Sequence, residues 1–163
     1  MPSLRTNAPS ASTIRIVNPN VCNKKPKRLE TSVQQNKVLV IATPGFVPAV
    51  TAASLRGANA FVEFATTLDH IIKCLVDQKF NVCVLFEDNR NLDADYVIKL
   101  VNLFSLPSLP LLKIIVIPST AGLKESIARS HIPINFLGAD ARPKAIADEV
   151  QKELKKITNR SVN

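Results

Sequence analysis

The chain has 163 residues, a hydrophobic fraction of 46% and a net charge of +8. This length suits one domain with an appendage, and the apolar content is sufficient for a real core. No apolar run reaches the ~20 residues that cross a bilayer, and the first ten residues lack the apolar segment of a secretory signal. We therefore expect an intracellular protein, nuclear or cytoplasmic, without a membrane span.

Residues 1–36 are rich in Pro, Ser, Asn and Thr, and they carry six basic residues against one acidic residue. Because sustained hydrophobic periodicity is absent, we predict a disordered basic tail. A run in this tail fits a nuclear localisation signal, and also a loose contact with nucleic acid or acidic lipid: Lys24, Lys25, Lys27 and Arg28. Sequence-specific binding of nucleic acid is not expected, because aromatic residues are scarce and no predicted helix has a basic face.

From Lys37 onwards, short apolar runs alternate with amphipathic stretches. The apolar runs predict five strands: Val38–Ile41, Ala60–Phe64, Val82–Phe86, Leu112–Ile117 and Ile134–Leu137. The amphipathic stretches predict five helices: Ala49–Arg56, Leu68–Gln78, Asn91 or Asp93 to Phe104, Gly122–Ser130 and Arg142–Ile157. Strict alternation with buried strands predicts an α/β domain over residues 37–158, followed by a short tail, 159–163. Its expected architecture is a doubly wound, five-stranded parallel sheet of flavodoxin-like order.

Local signals refine the helix ends and faces. Gly57 is a candidate helix stop, and Thr66 or Thr67 is a candidate cap of the second helix. The inward face expected for the last helix is Ala145, Ile146, Val150, Leu154 and Ile157.

The thiols and imidazoles do not form a recognisable site. Cys22, Cys74 and Cys83 have no metal-binding spacing, and with only His70 and His131 a zinc site is not expected. Cys74 and Cys83 lie in apolar stretches, which is typical of small core residues. No Ser-His-Asp or Cys-His arrangement is suggested by order or spacing. The sequence thus predicts no metal, no cofactor and no catalytic residue.

The turn after the first strand, residues 44–48, contains Pro44, Gly45 and Pro48. A nucleotide-binding domain would carry a glycine-rich phosphate loop here, but the G-x-G-x-x-G and GK[ST] patterns are absent. The two prolines also remove N–H groups that would hold a phosphate. A stiff turn is favoured, and a small flavodoxin-like nucleotide-binding enzyme is the weakest alternative.

Residues 37–157 resemble the receiver domain of two-component response regulators in element order, element length and hydrophobic pattern. Lys37-Val38-Leu39-Val40-Ile41 is similar to the family's opening strand, and residues 62–85 match its second strand, second helix and third strand without a gap. The resemblance implies a Mg²⁺ site made by acidic residues after the first and third strands. It also implies a third-strand Asp that accepts phosphoryl from a histidine kinase. A Ser/Thr after strand four and a Lys after strand five would neutralise the phosphoryl charge.

Most of that set is missing here. The residues at or beside the pocket positions are Ala42, Thr43, Phe86, Glu87, Asp88, Ser119, Thr120 and Gly138. Ala42 and Thr43 replace the acidic pair, Phe86 stands at the phosphoacceptor position, and no lysine follows strand five. Glu87 and Asp88 are either a retained acidic site or, as we favour, the polar start of a loop. Phe86 is expected to fill or cap the former pocket beside Ala42 and Pro118.

The resemblance therefore implies a degenerate receiver, or pseudo-receiver, that is not an enzyme. Such a domain is a phosphorylation-independent protein-interaction module, acting as a signalling or regulatory adaptor. In receivers the region that corresponds to residues 122–157 commonly pairs with a partner protein or a second copy, so we expect a protein partner or a homodimer through it. The main alternative is a phosphoryl-accepting receiver that uses Asp88.

Overall fold

The computed structural model describes residues 36–88, 92–105, 113–119 and 130–160. The strands within these ranges are β1 (Lys37–Ile41), β2 (Phe61–Ala65), β3 (Val82–Phe86), β4 (Lys113–Ile117) and β5 (Ile134–Phe136). The helices are α1 (Phe46–Gly57), α2 (Leu68–Asp77), α3 (Ala94–Ser105) and α4 (Pro143–Arg160). Several predictions fall outside the described residues. They concern residues 1–35 with the basic run, Thr120, and residues 122–129 of the predicted fourth helix.

The five strands form one parallel sheet in the order β2-β1-β3-β4-β5. This is the flavodoxin-like order, so the predicted fold is confirmed. Parallel strands need helical crossovers that cover both faces of the sheet, which explains why β1, β3 and β4 are almost wholly apolar. Their carboxyl ends meet at one edge of the sheet.

Alternate side chains of the strands enter two separate cores. On one face, Leu39, Cys83 and Leu85 pack with residues of α2 and α3. On the other face, Val38, Val82 and Val84 pack with residues of α1 and α4. Cys74 and Cys83 are both buried and reduced, as their apolar context predicts. The sheet is therefore sandwiched between two helical layers.

Helix α1 begins earlier than predicted and ends where predicted. It begins at Phe46 rather than Ala49, because Pro48 falls in the first turn, where an absent N–H removes no helical hydrogen bond. Helix α1 ends at Gly57, the residue predicted to stop it. The left-handed conformation just beyond the helix is taken by Asn59, with φ 61°, since asparagine tolerates this region better than most residues.

Two predictions about the other helices are resolved by local contacts. Thr67 caps α2, because its hydroxyl accepts a hydrogen bond from the His70 N–H at 3.3 Å. In α4, Ala145 is exposed and Ala147 is buried instead, so that part of the predicted inward face was wrong. The other four predicted residues of this face, Ile146, Val150, Leu154 and Ile157, are buried.

A buried ionic cluster joins the start of β4 to α4. The Glu153 carboxylate forms salt bridges with Lys113 Nζ at 2.9 Å and with Lys156 Nζ at 2.8 Å. Burial acts to raise the pKa of Glu153, but the hydrogen bonds and charges of Lys156 and Lys113 outweigh it and hold the pKa below its usual value. The cluster satisfies a charge that would otherwise be costly to bury.

Candidate functional site

A cleft of about 450 Å³ lies at the edge of the sheet where β1, β3 and β4 end. In open α/β sheets, ligands bind outside the carboxyl ends of the strands. The described walls of the cleft come from the segments that follow β1, β3, β4 and β5. The cleft therefore stands where the resemblance to receivers places a phosphorylation pocket.

The two residues after β1 offer no carboxylate to this cleft. Ala42 is fully buried, and its N–H donates to the Ala65 carbonyl at 3.1 Å, which prolongs the pairing with β2. Thr43 lines the cleft, and its hydroxyl donates to Asp88 Oδ2 at 3.0 Å. A threonine hydroxyl already used in this way is a poor substitute for the charged oxygen ligands that Mg²⁺ prefers.

Phe86 ends β3, and its side chain is only 9% exposed. It belongs to the core under α1 and α4, together with Ala42, and it lines the cleft together with Pro118. A cleft remains beside it, so Phe86 contributes a wall and does not close the space. The buried position of Phe86 explains why an apolar residue is stable where the resemblance implies a phosphoacceptor.

Glu87 connects the ends of β3 and β4. Its N–H donates to the Ile117 carbonyl at 3.0 Å. Its Oε2 accepts from the Ser119 N–H at 2.8 Å and from the Ser119 hydroxyl at 3.3 Å. The carboxylate is partly exposed and has two donors, so it avoids the penalty of a buried, unpaired charge.

Asp88 begins a short hydrogen-bonded loop. Its N–H donates to the Leu92 carbonyl at 3.3 Å, and its carbonyl accepts from the Leu92 N–H at 2.9 Å. Its carboxylate lies in the cleft, where it accepts the bond from Thr43. Glu87 and Asp88 thus both start a loop and present carboxylates to the cleft.

The segment after β5 brings a third carboxylate. The Ala141 N–H donates to the Gly138 carbonyl at 2.9 Å, which closes a turn over residues 138–141. A Cβ atom on Gly138 would lie 2.6 Å from Asp140 Oδ1, so the Asp140 carboxylate lies directly against the Gly138 backbone. Asp140 also lines the cleft, in the segment where the resemblance implies a lysine.

Among the described residues that line the cleft, every charged residue is acidic: Glu87, Asp88 and Asp140. Their carboxylates do not form a compact ligand set. Among the described residues, the group of three metal-ligating side chains whose donor atoms lie within 4.8 Å of one another is elsewhere, on β2 and α2. It consists of Glu63, His70 and Cys74. Sequence spacing missed this cluster, since only the four-residue interval between His70 and Cys74 hinted at a shared helix face.

Several solved structures similar to this chain are receiver domains. A CheY-like response regulator receiver domain protein from Methanospirillum hungatei has a TM-score of 0.62 at 10% identity, covering 77% of this chain and 98% of its own. The signal receiver domain of an HD domain-containing protein from Pseudomonas fluorescens has a TM-score of 0.64 at 12% identity, covering 83% and 98% respectively. The chemotaxis response regulator CheY4 of Vibrio cholerae has a TM-score of 0.59 at 14% identity, covering 73% and 98%.

No protein-family profile matches the sequence. No curated protein matches it either. The likeness to the solved structures nevertheless extends over nearly the whole of each of those receiver domains. The chain thus has the fold of a response-regulator receiver domain, which confirms the resemblance seen in the sequence at the level of the fold. Within the described part of the chain, none of the helices combines the length and apolar character needed to traverse a bilayer.

Proposed function

We propose that this domain is a pseudo-receiver: a non-catalytic, phosphorylation-independent protein-interaction module that acts as a signalling or regulatory adaptor. The observation that carries the proposal is the pairing of Glu87 with Ser119. In a receiver, the hydroxyl after strand four responds to the phosphoryl group. Here the hydroxyl and the backbone N–H of Ser119 already donate to the carboxylate of Glu87. The hydroxyl is therefore held by a negatively charged group without any phosphorylation.

The electrostatics of the cleft support the same conclusion. A phosphoryl group carries a charge of about −1.5 to −2 at neutral pH. Without a metal ion it would meet the three carboxylates of Glu87, Asp88 and Asp140. Each unit-charge repulsion at 4 Å is worth about 1 kcal/mol in water and about 4 kcal/mol at an effective dielectric constant of 20. These three carboxylates therefore disfavour phosphorylation, and Asp140 among them stands where the resemblance implies a lysine.

The test is the response to phosphoryl donors and analogues. Adding Mg²⁺ with acetyl phosphate or beryllofluoride should leave the melting temperature, the intact mass and the amide spectrum of the full chain unchanged. The Asp88→Asn variant serves as the matched control and should behave as the wild type does. Saturable shifts of the Glu87, Asp88 and Ser119 amides would overturn the proposal.

The second candidate function is a phosphoryl-accepting receiver that uses Asp88. One observation favours it: the Asp88 carboxylate lies in the cleft and accepts a hydrogen bond from Thr43, the second residue after β1. This candidate expects phosphoryl uptake that is lost in Asp88→Asn and kept in Glu87→Gln. Equal incorporation in both variants, or none in the wild type, would exclude it.

The interaction surface we propose is the described part of residues 122–157, namely β5 and α4. β5 ends the sheet, so one side of it is an edge, and it carries the exposed Phe136. An apolar side chain on an edge strand is typical of a contact surface. Phe136→Asp should weaken binding of a partner protein, or dissociate a homodimer in sedimentation analysis, while Tyr96→Asp on α3 serves as an exposed aromatic control.

We further propose that the basic run of Lys24, Lys25, Lys27 and Arg28 is an import signal that directs the protein to the nucleus. Replacing the four basic residues of the run by Ala should shift a fluorescent fusion towards the cytoplasm. An unchanged distribution would reject the import signal and leave the tail as a contact segment.

A further inference from the structure

Three side chains with metal-binding atoms meet between β2 and α2, away from the cleft. Glu63 lies on β2, whereas His70 and Cys74 lie on α2, and the donor atoms of all three are within 4.8 Å of one another. Glu63 Oε1 and His70 Nε2 are 3.5 Å apart. From this geometry we infer that Glu63, His70 and Cys74 bind a transition-metal ion, most favourably Zn²⁺, with water as the fourth ligand.

The local structure explains why these side chains converge. His70 and Cys74 are four residues apart on a helix, so they share one face of α2. The Thr67 cap bonds the His70 N–H and fixes the turn that carries the imidazole. On β2, Val62 and Phe64 face the core under α1 and α4, so Glu63 between them points to the opposite, α2 side.

The distances are close to those of a tetrahedral zinc site. Zinc bonds of about 2.3 Å to sulfur and 2.0–2.2 Å to nitrogen and oxygen place tetrahedral ligand atoms roughly 3.3–3.6 Å apart. The Glu63–His70 pair already has this separation. The donor atoms of the other two pairs lie within 4.8 Å of each other, so they need to approach by up to about 1.3 Å, which side-chain torsions at a partly exposed site can provide.

The exposure of the three side chains leaves room for the ion to enter. The side chains of Glu63 and His70 are 30% and 38% exposed, whereas Cys74 is only 4% exposed. The thiol therefore forms the inner end of the site, and the carboxylate and imidazole form its mouth. One sulfur, one nitrogen and one oxygen donor make a set that suits Zn²⁺ better than Mg²⁺ or Ca²⁺, which take oxygen ligands.

Other uses of the cluster fit the structure less well. Burial, and then the charges of Glu63 and Asp77, raise the pKa of the Cys74 thiol, although Lys73 opposes them. A nucleophilic cysteine needs the opposite shift. A partly exposed His–Glu pair alone would contribute little to stability. A bound dication reverses the local electrostatics, since it neutralises Glu63 and displaces the thiol proton to the solvent.

The experiment uses the full chain in a thiol-free reductant, with Co²⁺ as the spectroscopic probe and Zn²⁺ as the competitor. We expect one equivalent of Co²⁺ to give tetrahedral visible bands and a thiolate-to-cobalt charge-transfer band, both abolished by Zn²⁺. Glu63→Gln, His70→Gln and Cys74→Ser should each weaken Co²⁺ binding by more than about tenfold. Cys74→Ser should also remove the charge-transfer band. The matched controls His131→Gln and Cys22→Ser should bind as the wild type does.

A thermal shift gives an independent readout. Zn²⁺ at a hundredfold excess over its dissociation constant should raise the melting temperature by an amount on the order of 10 °C. The rise should be absent in His70→Gln, whose partly exposed side chain can be changed without loss of core packing. The inference is overturned if the wild type lacks the charge-transfer band, if Glu63→Gln and His70→Gln bind as tightly as the wild type, or if a control variant abolishes binding.

Discussion

Replacing Phe86 by Asp perturbs the cleft wall at the position where the resemblance implies a phosphoacceptor. Phe86 is 9% exposed and packs in the core under α1 and α4. Losing a buried phenylalanine side chain costs about 3–5 kcal/mol. This is a large share of the 5–15 kcal/mol that is typical of a domain's stability. With a urea m-value of about 2 kcal/mol per M, the unfolding midpoint should fall by about 2 M.

The matched control is the same substitution at Phe46, which is 79% exposed at the start of α1. Phe46→Asp should change the free energy of unfolding by no more than about 0.5 kcal/mol. Phe86→Asp should also fail to gain phosphoryl mass from acetyl phosphate with Mg²⁺, because Ala42 and Thr43 still provide no carboxylate. Equal midpoint shifts in the two variants would refute the role of Phe86 burial. Phosphoryl uptake by Phe86→Asp would show that the cleft is a dormant receiver site.

Three further predictions concern single buried or capping groups. Glu153→Gln leaves Lys113 without its buried counter-charge and should cost about 2–4 kcal/mol in urea unfolding. The folded-state pKa of Glu153 is lowered, so the stability that its charge contributes is fully present above the usual pKa of 4.5. This stability is lost as the pH falls through the folded-state pKa. The difference in unfolding free energy between wild type and variant should therefore close in acid. Burial raises the pKa of the Cys83 thiol to about 12, so a thiol reagent at pH 8 should modify Cys83 only after unfolding, and rapid labelling of the native protein would contradict its placement. Thr67→Ala should lower the free energy of unfolding by about 1 kcal/mol, because the α2 cap is lost. Thr67→Ser keeps a hydroxyl and should retain most of the stability of the cap. Equal losses of stability in the two variants would argue against the cap.

Local patterns in the sequence were enough to predict the described strands and helices and their order. The apolar runs predicted the parallel sheet, and Val82–Phe86 has the predicted bounds. They succeeded because a strand buried on both faces has no alternative to a continuous apolar sequence. The absence of an acidic pair at Ala42 and Thr43 could also be read directly, because their position after the first strand follows from counting along the chain.

The side-chain partners were decided by the tertiary structure. Whether Glu87 meets Ser119, or Thr43 meets Asp88, depends on loops from different strands that converge at one edge of the sheet. The meeting of Glu63 with Cys74 depends likewise on how α2 returns over β2. Hydrophobic periodicity records which face of an element is buried, but it does not record what lies opposite. Contacts between residues far apart in the chain arise only when the elements have packed, and the chemistry of this protein lies in those contacts.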